Sequence, residues 1–148
     1  MITKLIVINQ PVKLMNPLTS EQQESVGEFH MYCAEFLAAV LDIYPENQQL
    51  RDYKNKFHLL CEANPFKPLD YFYEYVYCHR GYIETENIDF FVNIESNMST
   101  NDENSILEAL QLKTLWLRLT EEEQISNSET IFMYLKCLVF CTKVFRGI

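Results

Sequence analysis

Between Val26 and Tyr44 the large apolar residues recur at steps of three and four: Val26, Phe29, Cys33, Phe36, Leu37, Val40 and Tyr44. At about 100° per residue all seven fall within a sector of roughly 100°, which predicts a helix with one core-facing stripe. Ser20 with Gln23 three residues on predicts the reciprocal cap that opens this helix. Pro45 predicts its end, because the residue before proline is pushed out of the α region. A second helix is predicted from about Glu46 to Ala63, with Leu50, Tyr53, Phe57 and Leu60 on one face, closed by Asn64-Pro65. The short connection makes the first two helices close neighbours.

Downstream the pattern is less uniform. Tyr71, Tyr73, Tyr75 and Tyr77 alternate as in a strand, yet Leu69, Phe72, Val76 and His79 hold helical spacing. The helical period, with Pro68 at a first-turn position and Gly81 as a C-terminal cap, predicts a third helix over 68–81. Thr85 is placed to cap a short helical turn through Phe91. Residues 93–104 are polar and acidic and predict a mobile loop. A two-faced helix is predicted from about Asp102 to Leu119. Thr120 with Glu123 predicts a capping box opening the last helix. In that helix twelve of the fifteen residues of Ile131–Phe145 are apolar. Such a segment is either central or covered on one side by another chain.

The expectation is an all-α fold: a compact bundle of about five to six helices after an extended N-terminal arm at 1–17, with residues 18–148 as one helical domain. Composition agrees. Only Gly27, Gly81 and Gly147 are glycines, too few for a turn-rich sandwich or a phosphate-binding α/β fold. Twelve basic residues against 21 acidic give a formal charge of −9. That balance speaks against nucleic acid and anionic membranes as partners, and leaves protein partners, including a second copy in a homo-oligomer. Neither a leader peptide nor a membrane span is predicted; Leu5–Ile8 is too short an apolar run. Five cysteines without a C-x-x-C pair read as reduced thiols, which points to a cytoplasmic rather than secreted protein.

Candidate chemistry is sparse. His30 with Cys33, and His58 with Cys61, are two i,i+3 pairs on neighbouring helices and are the zinc candidates. Against zinc, Cys33 sits inside the core stripe and His58 lies off its helix's apolar face, so the expectation is no metal and no cofactor. Cys137 and Cys141 share a helix face without the electropositive surroundings that activate a thiol. Paired carboxylates such as Glu84/Glu86 and Glu121–Glu123 read as solvated charges and helix-dipole complements. With no phosphate loop, nucleophile elbow or H-E-x-x-H motif, no enzyme is expected. Interface candidates are Tyr71, Tyr73, Tyr75 and Tyr77 together with Met133, Phe140 and Val144 on the last helix.

The runs EFLAAVLDIYPENQQLRDYKNKF, DYFYEYVY, IDFF and LKTLWLRLTEEEQ…IFMYLKCLVFCTKVF, with Pro45, Trp116 and Tyr134, resemble uncharacterised small helical proteins of large nucleocytoplasmic DNA viruses, of the giant-virus and iridovirus kind. The resemblance spans roughly residues 28–145 and excludes the arm. It implies a minor structural or assembly component of the virus particle and brings no catalytic residues. A host-directed adaptor or inhibitor that grips a partner helix or peptide is the alternative expectation. A small metalloprotein using the His/Cys pairs is the third.

Overall fold

The computed structural model describes residues 17–93 and 112–148, and every regular element in them is helical. Helix α1 spans Ser20–Ile43, α2 Gln48–Ala63 and α3 Lys67–Tyr75; a 3-10 turn at Tyr77–His79 leads into α4, Arg80–Glu84. Helix α5 covers Ile88–Val92, α6 Leu112–Leu117 and α7 Glu121–Arg146. No strand occurs among the described residues, as the hydrophobic periodicity predicted. The predicted arm up to residue 16, the acidic loop from residue 94 and the first ten residues of the Asp102–Leu119 helix lie outside them.

The architecture rests on the antiparallel pair α1 and α7, the most extensive contact between elements. Gln22 Nε2 near the start of α1 donates to the Phe145 carbonyl near the end of α7 at 3.0 Å, and Tyr134 Oη donates to Glu35 Oε1 at 3.3 Å. The core between them holds Val26 and Phe29 from α1 with Phe132, Leu135, Leu138, Cys141 and Phe145 from α7. Helix α3 adds Leu69 and Phe72, and α4 adds Ile83. Phe29 meets Phe72 edge-on, ring centroids 5.6 Å apart, and Phe132 meets Phe91 of α5 at 5.9 Å. Each such pair adds about 0.5–1.5 kcal/mol to the area it buries. Only the N-terminal half of the α1 stripe is fully buried; Cys33, Phe36, Leu37, Val40 and Tyr44 are half-buried. Tyr44 is held by its hydroxyl, which donates to the Leu115 carbonyl of α6 at 3.0 Å.

Several boundaries differ from expectation for identifiable reasons. The cap of α1 is Thr19 with Gln22, one residue before the predicted Ser20 and Gln23. Both pairs satisfy the capping pattern, and the long-range bond from Gln22 to α7 favours the earlier one. Helix α2 starts at Gln48, because the Asn47 side chain accepts from the Leu50 N–H. The predicted 68–81 helix is broken after Tyr75, and Gly81 lies inside α4 instead of ending α3. Thr85 ends α4, and it is Asn87 that caps α5, accepting from the Phe90 N–H at 3.1 Å. The capping box of α7 is as predicted: Thr120 Oγ1 accepts from the Glu123 N–H at 3.2 Å and Glu123 Oε1 from the Thr120 N–H at 2.8 Å. Those bonds hold the Glu123 carboxyl below its ordinary range. At the other end Gly147 takes the left-handed conformation (φ 70°) that closes the helix without a Cβ clash.

Candidate interaction surfaces

Of the four zinc candidates, His30, His58 and Cys61 line one basin of about 590 Å³ between α1 and α2. Cys33 lies outside its lining. The histidines have other partners. His30 Nε2 sits 2.7 Å from the Pro65 carbonyl oxygen, which can only accept, so this nitrogen carries the proton and donates. His58 is exposed and faces Glu62 across one helical turn at 3.7 Å. Burial pushes the Cys33 thiol far up, with the Cys61 and Cys141 thiolates acting in the same direction, and burial also raises Cys61. A cysteine binds zinc as its thiolate, so this environment works against Cys33 and Cys61 as ligands. Among the described residues no group of three or more His, Cys, Asp or Glu is arranged to hold a metal ion.

The four alternating tyrosines are not equivalent. In helical geometry they pair at i,i+4: Tyr71 stacks on Tyr75 with centroids 5.6 Å apart, and Tyr73 on Tyr77 at 5.3 Å. Tyr71 and Tyr73 are exposed and Tyr75 is half-buried. Tyr77, expected at a surface, is buried in the core; it lies about 100° round an ideal helix from Val76, and the tighter 3-10 turn accompanies its rotation inward.

Cations cover the tyrosine rings. Lys67 Nζ lies 4.9 Å from the Tyr71 ring centre, the Arg80 guanidinium 4.5 Å from that of Tyr77, and the Arg146 guanidinium 3.8 Å from that of Tyr73. The order Arg146, Tyr73, Tyr77, Arg80 is thus a continuous stack joining the end of α7 to α3 and the 3-10 turn. Arg146 Nη2 also donates to Asp70 Oδ1 at 3.0 Å. The i,i+4 spacing of Lys67 and Tyr71 and the i,i+3 spacing of Tyr77 and Arg80, though not among the expectations, were local signals present in the sequence. Arg146 on Tyr73 was not, since no local pattern joins residues so far apart along the chain.

On α7 the remaining interface candidates fall on the outer face. Met133 is 52% exposed and Phe140 63%, whereas Val144 is half-buried, a partial correction to the expectation. Half-buried Cys137 lies between them, so Met133, Cys137, Phe140 and Val144 follow a four-three-four spacing along one stripe. One flank of this stripe carries Lys136 and Lys143. Lys136 Nζ reaches Glu86 Oε2 at 2.6 Å. The other flank belongs to α1. Tyr32 borders it, its hydroxyl pushed up first by the neighbouring Cys137 thiolate, then by burial and by Glu28. Glu35 is bonded to Tyr134, whose hydroxyl is raised by burial and by that carboxylate.

No helix among the described residues is long and apolar enough to cross a membrane. No protein-family model, curated protein or solved structure matches the chain.

Proposed function

We propose that the chain is a non-enzymatic protein-interaction module that self-associates through the outer face of α7. The observation that carries this reading is the apolar stripe Met133–Cys137–Phe140–Val144, exposed at its two largest side chains on a 26-residue helix. Its spacing is that of a coiled-coil seam. The occupant is a second copy, on grounds of charge. In a parallel two-fold pairing the left flank of one stripe meets the right flank of the other. Lys136 then stands across from the partner copy's Glu35, which lies level with Tyr134, and Lys143 across from its Glu28, near the level of Cys141. An antiparallel pairing would set lysines against lysines and is disfavoured. From Met133 to Val144 the stripe is only about 16 Å long at ~1.5 Å per residue, which supports a weak, concentration-dependent dimer instead of a permanent one.

Light scattering over a concentration series tests this. Wild type is expected to shift from monomer towards dimer as concentration rises, and Phe140→Glu to stay folded and monomeric at every concentration. A wild type that remains monomeric throughout overturns the reading. The viral resemblance adds a setting, a minor assembly component of a large DNA virus particle. Its presence in purified particles, measured by quantitative mass spectrometry, is the expected result, and enrichment only in the infected-cell cytoplasm would favour the host-directed adaptor.

A further inference from the structure

A second surface, independent of α7 self-association, lies at the other end of the stacked tyrosines. Lys67, Arg80 and Arg146, three of the chain's twelve basic residues, line one open basin of about 960 Å³. In a protein of net charge −9, this gathering of positive charge runs against the general field. The cations are also held in place. Arg146 and Arg80 sit over the Tyr73 and Tyr77 rings; Arg80 Nη1 donates to the Tyr77 carbonyl and Arg146 Nη2 to Asp70, and the other N–H groups of the two guanidiniums remain to donate. Arg146 Nε is buried without a hydrogen-bond partner among the described residues, so the outer nitrogens of this guanidinium are the ones that face the basin.

We infer that this basin is a recognition site for an acidic peptide segment of a partner protein, with Arg80, Lys67 and Arg146 receiving its carboxylates. The rest of the lining selects peptide over phosphate. Asp70 is engaged with Arg146, but Glu74 contributes an exposed carboxylate that opposes a compact dianion. A peptide spreads its charge over several residues and offers backbone N–H groups to Glu74. The exposed Ile148 and the Tyr73 ring give its apolar side chains a surface to rest on. Guanidinium groups restrained on aromatic faces lose less freedom on binding than free surface arginines, which favours the interaction further.

Cys78 makes the test site-specific. It is the exposed cysteine of the five and lies in the basin lining, while the other four are half-buried or buried. The full-length chain is titrated with a short labelled peptide of glutamates around a leucine pair, followed by fluorescence anisotropy and by the alkylation rate of Cys78. Saturable binding that weakens with salt and slows Cys78 alkylation at least about fivefold is expected. Arg80→Gln and Lys67→Gln, both at exposed positions, should each weaken binding about tenfold, and Lys54→Gln on the α2 side should not. Phe140→Glu should bind the peptide as wild type does, so this site and α7 self-association stand or fall separately. Equal binding by the same peptide with lysines for glutamates, absence of Cys78 protection, or indifference to Arg80→Gln would overturn the site. Inorganic phosphate protecting Cys78 as well as the peptide does would overturn the peptide assignment.

Discussion

Phe132 and Phe140 sit eight residues apart on α7, about 80° apart around the helix, and one is 1% exposed while the other is 63% exposed. The inner face carries Phe132, Leu135, Leu138, Cys141 and Phe145 into the core against α1, α3 and α4. The outer face carries Met133 and Phe140, both exposed, with Val144 half-buried beside them. Hydrophobicity is nearly the same on the two sides, so the difference is not written into α7. It arises from the partners: among the described residues, α1, α3, α4 and Phe91 of α5 pack against one side of α7. A helix apolar all round is thus no guarantee of a central position; the neighbours must have enough surface to enclose it.

The sharpest way to break this contrast is truncation on each face. Phe132→Ala removes a ring packed edge-on against Phe91, and should cost about 3–5 kcal/mol in urea denaturation. Phe140→Ala, measured dilute enough to keep the chain monomeric, should change stability by no more than ~0.5 kcal/mol. Comparable losses from the two would mean that the outer face is covered within the monomer, and the proposed self-association would lose its surface.

The same contrast explains what could be read beforehand. Helix α1 was legible because a stripe confined to one face has one way to bury itself, and because Pro45 stops it locally. The capping box at Thr120 and Glu123 was legible because its chemistry closes within four residues. The segment from Tyr71 to Gly81 was not, since its tyrosines satisfy two periods at once and the break after Tyr75 follows from burying Tyr77 in a core built by distant residues. Gly81 fits a C-terminal cap by composition, yet α4 continues through it, and the left-handed closure occurs at Gly147. At the interaction surfaces, residue types were visible but partners were not. Tyrosines at 71 and 73 were chosen as aromatic anchors; Lys67 covers Tyr71 from one turn away on the same helix, whereas Arg146, which covers Tyr73, comes from an element that only the fold brings near. The zinc candidates show the converse: suitable residues at suitable spacing, of which the histidines are taken by Pro65 and Glu62.

A smaller and more selective effect sharpens the comparison through pH. Cys141 lies on the inner face, almost fully buried, and burial with the nearby Glu28 and Cys137 charges raises its thiol from 9.0 to about 11. The proton is therefore held more tightly in the folded chain than in the unfolded one. For a group of this sign, the linked stability is fully present below about pH 9, where both states keep the proton, and is lost as pH rises towards about 11, where the unfolded chain has already released it. Cys33, on the facing side of α1, is raised by burial in the same sense and extends the loss. Urea midpoints measured from neutral pH upward should stay level for these groups and then fall across that window. Burial also raises the Tyr44 and Tyr53 hydroxyls, so the informative quantity is the difference between wild type and Cys141→Ala, in which their contributions cancel. The variant should start less stable, because a small cavity replaces the sulfur, and lose less on going to alkaline pH. A decline as steep in Cys141→Ala as in wild type would mean that solvent reaches the thiol. The inner face of α7 would then be less well enclosed than its packing against α1 indicates.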